Sequence, residues 1–191
     1  MIQGTHYNEQ NFGKWDYQDL DYILLSHILE KASGQSYETL FNDMYVYPLK
    51  LKHTDFVWVD QRKLKEIDFL FNGQNIDLNA MHGLLGAGRV AMSNDDLYKV
   101  SLDLLNGKPL SSQNKDIIYA PENNTSHYRG GLYTKNNHYE SNGNGYGYCN
   151  FLRISKDGQN AVILQSTDSS RYGDLSNSAD KIYADLFGKW D

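Results

Sequence analysis

Hydrophobic positions recur at helical spacing through most of the first two-thirds of the chain and in short alternating runs through much of the last third. Over residues 19–32, Tyr22, Ile23, Leu25, His27, Ile28 and Leu29 form a wide apolar face with Gly34 at its end, which predicts a buried helix. Ser36 is placed to cap a second helix through Tyr37, Leu40, Phe41 and Met44, and Pro48 should end it by forbidding helical geometry at the preceding residue. Residues 49–56 read as a compact turn, residues 57–80 as mixed strand and loop, and Gly83, Gly86 and Gly88 as a loop. Ser93-Asn94-Asp95-Asp96 opens a third helix as a variant capping box, with Asp96 placed to reach back and Leu97, Val100, Leu104 and Leu105 as its stripe. Gly107 and Pro109 stop it.

Segments at residues 128–134, 148–154 and 161–167 are β-branched or aromatic and separated by Asn/Gly or Lys-Asp-Gly turns, as in an antiparallel meander. The Asn/Gly/Tyr-dense stretch 136–148 reads as a turn region. Leu175, Ala179, Ile182, Tyr183, Leu186 and Phe187 then return to helical spacing, and a terminal helix laid on the sheet buries both stripes. The expected architecture is α+β in one domain over residues 1–191, a mainly helical lobe over 1–120 followed by sheet and helix over 121–191.

Composition narrows the function classes. A chain of 191 residues can bury roughly 70% of its unfolded surface, so a core needs no staples, and the single Cys149 permits no internal disulfide. The net charge of −6 argues against a nucleic-acid groove or an anionic membrane surface. No apolar run approaches the roughly 20 residues of a spanning helix, and Met1-Ile2-Gln3-Gly4-Thr5-His6 lacks the pattern of a signal peptide. The six His are scattered without an i, i+4 pair, so neither a metal site nor any cofactor is expected. Mid-strand in an apolar stretch, Cys149 reads as a buried inert thiol.

Four stretches then agree, in order and spacing, with one family. Gly13-Lys14-Trp15-Asp16-Tyr17-Gln18-Asp19-Leu20-Asp21-Tyr22-Ile23-Leu24-Leu25 resembles the G-x-x-[FW]-x-Y-S-N-x-x-Y-x-L-L stretch of serine β-lactamase-like hydrolases. Residues 28–37 resemble their IIEKVTGKSY boundary, residues 48–56 their PLGMKNTGF turn, and residues 86–97 their GAGGLVSTADDL loop and helix. The resemblance spans nearly the whole chain but only the later two-thirds or so of a family member, so the implied β-lactamase/transpeptidase-like fold would be incomplete.

What the family implies is a three-part site. Its S-x-x-K supplies the nucleophile and an amine beside it, a Y-x-N tyrosine shares the acid/base work, and a K-T-G or H-x-G strand flanks the substrate and completes an oxyanion hole. The second part maps to Tyr17 and Asp19, with Asp where Asn is usual. An acceptor-only carboxylate would favour a cationic substrate group, as in the branch similar to teichoic-acid D-alanyl esterases; Asp19 is equally placed to be a helix N-cap. The third part falls on Ser141-Asn142-Gly143, where loss of the basic residue would weaken binding of a substrate carboxylate, although the same tripeptide also reads as a hairpin turn.

The first part is not found ahead of Tyr17. Literal matches occur at Ser112-Gln113-Asn114-Lys115, read as loop, and Ser178-Ala179-Asp180-Lys181, inside the terminal helix; neither is expected to be the nucleophile. The resemblance therefore implies a truncated hydrolase acting on cell-wall D-alanyl esters or peptides, or a non-catalytic cell-wall-binding or vestigial module. Its partners would be a cell-wall polymer or D-alanyl substrate, and the parent family's place is extracytoplasmic. In that family the first strands pair with the last strand, so Ala161-Val162-Ile163-Leu164-Gln165 would present an apolar edge through which a homodimer could form.

Overall fold

The computed structural model describes residues 9–56, 70–71, 74–75, 85–107, 109–119, 127–145 and 147–188. Helix α1 (Asp19–Ser33) ends where predicted, because Gly34 takes the left-handed conformation (φ 72°) and returns its N–H to the Glu30 carbonyl. Ser36 caps α2 (Tyr37–Phe41) by accepting from the Thr39 N–H.

Pro48 does not end this helix. The chain continues through a π-helical turn (Asn42–Val46) into α3 (Tyr47–Leu49), whose first turn holds the proline, a place where its fixed φ and missing N–H are tolerated. The turn expected over residues 49–56 finishes as a strand, β1 (Thr54–Phe56), paired antiparallel with β4 (Val90–Met92). Of the mixed segment expected over 57–80, β2 (Leu70–Phe71) and β3 (Gln74–Asn75) form a small antiparallel pair; the rest, with Gly83, lies outside the described residues.

Helix α4 (Asn94–Leu105) starts on Ser93, whose hydroxyl accepts from the Asp96 N–H. The Asp96 carboxylate does not close a capping box. It is buried and accepts instead from the His53 N–H (2.7 Å) and the Thr54 hydroxyl (3.0 Å), fastening α4 to the start of β1. Burial would raise its pKa, but these bonds and the neighbouring Lys99 ammonium outweigh it and hold the carboxyl below its usual value. Residues 112–119 form a helix, α5 (Ser112–Tyr119), and not the expected loop.

The last third is a five-stranded antiparallel meander in chain order: β5 (Tyr128–Arg129), β6 (Leu132–Thr134), β7 (His138–Gly145), β8 (Tyr148–Ser155) and β9 (Ala161–Ser166). The stretch read as turn-rich is largely strand. β7 pairs with β8 along its whole length, from His138 opposite Ser155 to Gly145 opposite Tyr148, so the ladder overrides the weak strand propensity of Asn and Gly. Helix α6 (Tyr172–Phe187) covers one face, burying Ala179 and Tyr183 against Cys149, Phe151 and Val162. Cys149 is 1% exposed, and burial, then the nearby Asp168, pushes its thiol pKa up. Strand β8 is buried on both sides, since Leu152 and Ile154 are as inaccessible as Phe151.

Candidate functional site

The approach to α1 is organised by Asp16, whose two carboxylate oxygens accept from Asn11 Nδ2 (3.2 Å) and Gln18 Nε2 (3.1 Å). This clamp presents Trp15 and Tyr17, which remain 50% and 49% exposed. Gln18, in extended conformation, occupies the cap position without a side-chain bond to the helix N–H groups; Asp19 is the first helical residue and is exposed. The N-cap alternative for Asp19 is therefore not what the helix uses, although a carboxylate there still suits the positive end of the helix dipole.

Tyr17 leans edge-on against Tyr128 of β5, with ring centroids 5.5 Å apart, and Tyr128 in turn packs on Tyr133 of β6 at 4.8 Å. The Tyr128 hydroxyl meets the Tyr22 hydroxyl from the next turn of α1 at 2.9 Å. Burial, then the bond to Tyr22, raises the Tyr128 pKa strongly; burial and the neighbouring Tyr17 and Glu140 raise Tyr133. Tyr119, packed on Tyr139, is pushed up to about 12, mainly by burial. The surrounding phenols are thus neutral hydrogen-bonding groups at ordinary pH, and Tyr17 is the accessible one at the head of α1.

Ser141-Asn142-Gly143 lies in the middle of β7, on a strand and not in a hairpin turn, because each residue faces a partner on β8: Leu152, Phe151 and Asn150. Pleating separates the three. Asn142 falls on the α6 side, where its amide oxygen accepts from Arg153 Nη1 at 2.7 Å. Ser141 and Gly143 fall on the opposite side. A side chain at 143 would collide with the Asn150 carboxamide lying over it, and a Cβ at 145 would come 3.4 Å from Arg89 Nη1. The face of β7 away from α6 therefore carries Ser141, with Asn150 and Arg89 lying against its glycines. The structure brings Tyr17 to the β5–β6 hairpin and Ser141 one strand beyond it, and it turns Asn142 away.

Arg89 and Asn150 were not singled out in the sequence. The signal for Arg89 was present: it stands where the resembled GAGG stretch has its last glycine, and it adopts φ 73°, a left-handed conformation uncommon for a residue with a side chain. Its loop is held to α1 by Ser26, which is 1% exposed and donates to the Leu85 carbonyl (3.1 Å) as well as to Ile23 within its own helix.

Neither S-x-x-K match joins this constellation. Lys115 donates its ammonium to the Leu105 carbonyl, and the Ser178 hydroxyl is bonded to the Asp174 carbonyl within α6 (2.8 Å). Among the described residues, no group of three or more His, Cys, Asp or Glu is arranged to hold a metal, and no helix is long and apolar enough to cross a membrane.

Residues 5–179 match the sequence profile of the family described as Beta-lactamase. PbpX of Bacillus subtilis (strain 168) is 28% identical over 180 residues, an alignment covering 90% of this chain and 44% of that protein. The teichoic acid D-alanine hydrolase of Staphylococcus aureus is 24% identical over 183 residues, 86% of this chain and 46% of its own. Among solved structures, FmtA from Staphylococcus aureus superposes with a TM-score of 0.77 at 21% identity, covering 96% of this chain and 53% of that one. The D-amino acid amidase of Ochrobactrum anthropi does so with 0.72 at 14%, covering 91% and 57%. These structural likenesses speak to the fold. The chain spans about half the length of the relatives it matches.

Proposed function

Since this chain belongs to the beta-lactamase family, we propose that it forms part of a hydrolase acting on cell-wall D-alanyl esters or peptides at the cell envelope. The observation that carries the reading is Tyr17, a solvent-accessible phenol two residues ahead of Asp19 at the head of α1, held from behind by Tyr128. In this reading Tyr17 passes a proton between nucleophile and leaving group, Asp19 attracts the substrate's ammonium, and Ser141 and Gly143 of β7 flank the bound ester. Asn142 serves the sheet–helix interface instead. The name of the Staphylococcus aureus relative, a teichoic acid D-alanine hydrolase, supports the ester over other acyl substrates.

A second reading is favoured by a separate observation. Both S-x-x-K segments of the chain are engaged elsewhere, Lys115 with Leu105 and Ser178 within α6, which suits a module that binds cell-wall polymer without cleaving it. One experiment separates the two: the chain, alone and joined to a segment that carries an S-x-x-K ahead of Tyr17, is incubated with D-alanylated lipoteichoic acid and with a fluorophosphonate probe, and released D-alanine and protein labelling are measured. Release and labelling by the joined polypeptide that fall in Tyr17→Phe support the hydrolase. Retention on the polymer with neither release nor label from either form supports the binding module, and no retention, release or label sinks both.

We also propose that the chain self-associates through β9, which is the outermost strand of its sheet. The edge is partly engaged already, since Asn94 Nδ2 donates to the Ile163 carbonyl (3.3 Å). Continuing the ladder into a second copy would satisfy the remaining edge groups. Light scattering is expected to give a dimer at high concentration; a clean monomer there contradicts it.

A further inference from the structure

We propose that Tyr128 and Tyr22 are positioning residues for Tyr17, their hydroxyls forming a hydrogen-bond chain in which Tyr22 donates to Tyr128 and Tyr128 donates to Tyr17. The inference rests on the reading of Tyr17 as the group that passes the proton, and it adds what lets a phenol do so at this place in the fold.

The need for a donor follows from charge. A phenol that is to take a proton must first carry a negative oxygen, and the segment bearing Tyr17 is already acidic: Asp16, Asp19 and Asp21 stand against Lys14 alone over residues 14–21. Like charges oppose a further one. Residues 141–143 of β7 are Ser-Asn-Gly, with no cation among them. A hydrogen bond donated to the charged oxygen offsets the repulsion, and such a bond is about twice as strong as one between neutral groups.

Tyr128 is placed to give it. The Tyr17 ring stands edge-on to the Tyr128 ring at 5.5 Å, and the Tyr17 hydroxyl is a second hydrogen-bonding partner of the Tyr128 hydroxyl, the first being that of Tyr22 at 2.9 Å. Burial, then the bond to Tyr22, raises the Tyr128 pKa strongly, so Tyr128 keeps its proton and faces Tyr17 as a donor. A phenol has one proton to give and lone pairs to accept with. Once Tyr128 spends its proton on Tyr17, its contact with Tyr22 must run from Tyr22 to Tyr128, and each bond polarises the next. The chain leads from the partly buried Tyr22 and Tyr128 to the half-exposed Tyr17. A stitch serving only to fasten α1 to β5 would need the Tyr22 bond and not the contact with Tyr17.

The test reads the phenols themselves, so its first part is independent of whether the chain cleaves anything. The full chain is labelled with 3-fluorotyrosine, and the Tyr17 fluorine resonance is assigned by its absence from Tyr17→Phe. That resonance is expected to move in Tyr128→Phe and also in Tyr22→Phe, which acts through Tyr128. Tyr133→Phe, which removes a hydroxyl from the ring packed on Tyr128, should leave it in place. Each substitution keeps its ring and hence the packing; if Tyr128→Phe nonetheless unfolds, Tyr22→Phe carries the test. A Tyr17 resonance indifferent to both, or displaced as much by Tyr133→Phe, overturns the chain of phenols. In the polypeptide joined to an S-x-x-K segment, Tyr128→Phe should lower kcat for D-alanine release about five- to tenfold at unchanged KM, the loss of one hydrogen bond that matters when the oxygen is charged. An unchanged kcat overturns the positioning role. A displaced resonance with no release from the unmodified joined form supports the chain of phenols and removes the hydrolase.

Discussion

Replacing Arg153 by alanine is expected to cost about 3–5 kcal/mol of stability, read as a fall in the urea midpoint at unchanged slope. The guanidinium is 1% exposed beneath α6, yet each of its nitrogens has work there. Nε donates to Asp180 at 2.6 Å, Nη1 to Asn142 at 2.7 Å and to the Leu152 carbonyl at 3.0 Å, and Nη2 to Ser176 at 3.3 Å. Glu140 stands 3.8 Å from Nε and 3.0 Å from His138 Nε2. Removing the cation leaves Glu140, 13% exposed, without its main charge partner, and leaves the Asn142 oxygen without its donor. The effect should fall toward the lower end of the range, because Asp180 is 40% exposed and water can take over part of its solvation.

The pH dependence follows from Glu140. Burial alone would raise its pKa, but the bond to His138 and the charges of Arg153 and Lys135 outweigh it and hold the carboxyl below its usual value. A depressed folded-state value contributes stability above the unfolded value of about 4.3, and that contribution is lost as pH falls through the folded one. The gap between Arg153→Ala and the unmodified chain should therefore narrow as the solution is taken below about pH 4. A loss under about 1 kcal/mol at pH 7, or a gap indifferent to acid, would mean that the network is solvated and not structural.

Gly86→Val is expected to cost about 3 kcal/mol or more and to loosen the loop that carries Arg89. Gly86 has φ 86°, where a β-branched residue is badly strained. A Cβ there would also lie 2.6 Å from the Tyr22 carbonyl and 2.7 Å from the Ser26 Cβ, both on α1. Neither can yield: the first is helix backbone, and the second belongs to the buried Ser26 that holds Leu85. The loop would have to lift from the helix, adding an overpacking cost to the backbone strain. Thermal unfolding measures the stability loss, and faster amide exchange at residues 85–92 reports the detachment. If Gly86→Ala and Gly86→Val both unfold at the temperature of the unmodified chain, the close approach of loop and helix is wrong.

The helices were legible because their signals are local. Gly34 after α1, Ser36 before α2 and Ser93 before α4 act within a turn of the residues they cap, so no distant contact is needed to place them. The apolar spacing of Leu175, Ala179 and Tyr183 likewise announced α6 and its buried stripe. Helix α5, with few apolar positions and no capping signal of comparable strength, is not legible in the sequence, where its SQNK start reads as loop.

Non-local effects were not readable. The middle of β7 is Glu-Ser-Asn-Gly-Asn-Gly, poor strand material, and it is a strand because the buried β8 offers it a complete ladder. Asp96 looked like half of a capping box, yet its carboxylate is spent on His53 and Thr54, 43 and 42 residues away in the chain. The meeting of Tyr22 with Tyr128, 106 residues apart, could not have been inferred from either one's neighbours.

From the sequence alone came helices α1, α4 and α6 and the start of α2, the sheet-forming last third, the family and the placing of Tyr17 and Asp19 at the head of α1. Tertiary structure decided which of those side chains meet and which face each one serves. The pleat of β7 divides Ser141 and Gly143 from Asn142, and it is the docking of α6 over Arg153 that gives the Asn142 side its bonded partner. The physical reason is that period and capping are properties of a short segment, whereas the environment of a face depends on what the rest of the chain lays against it.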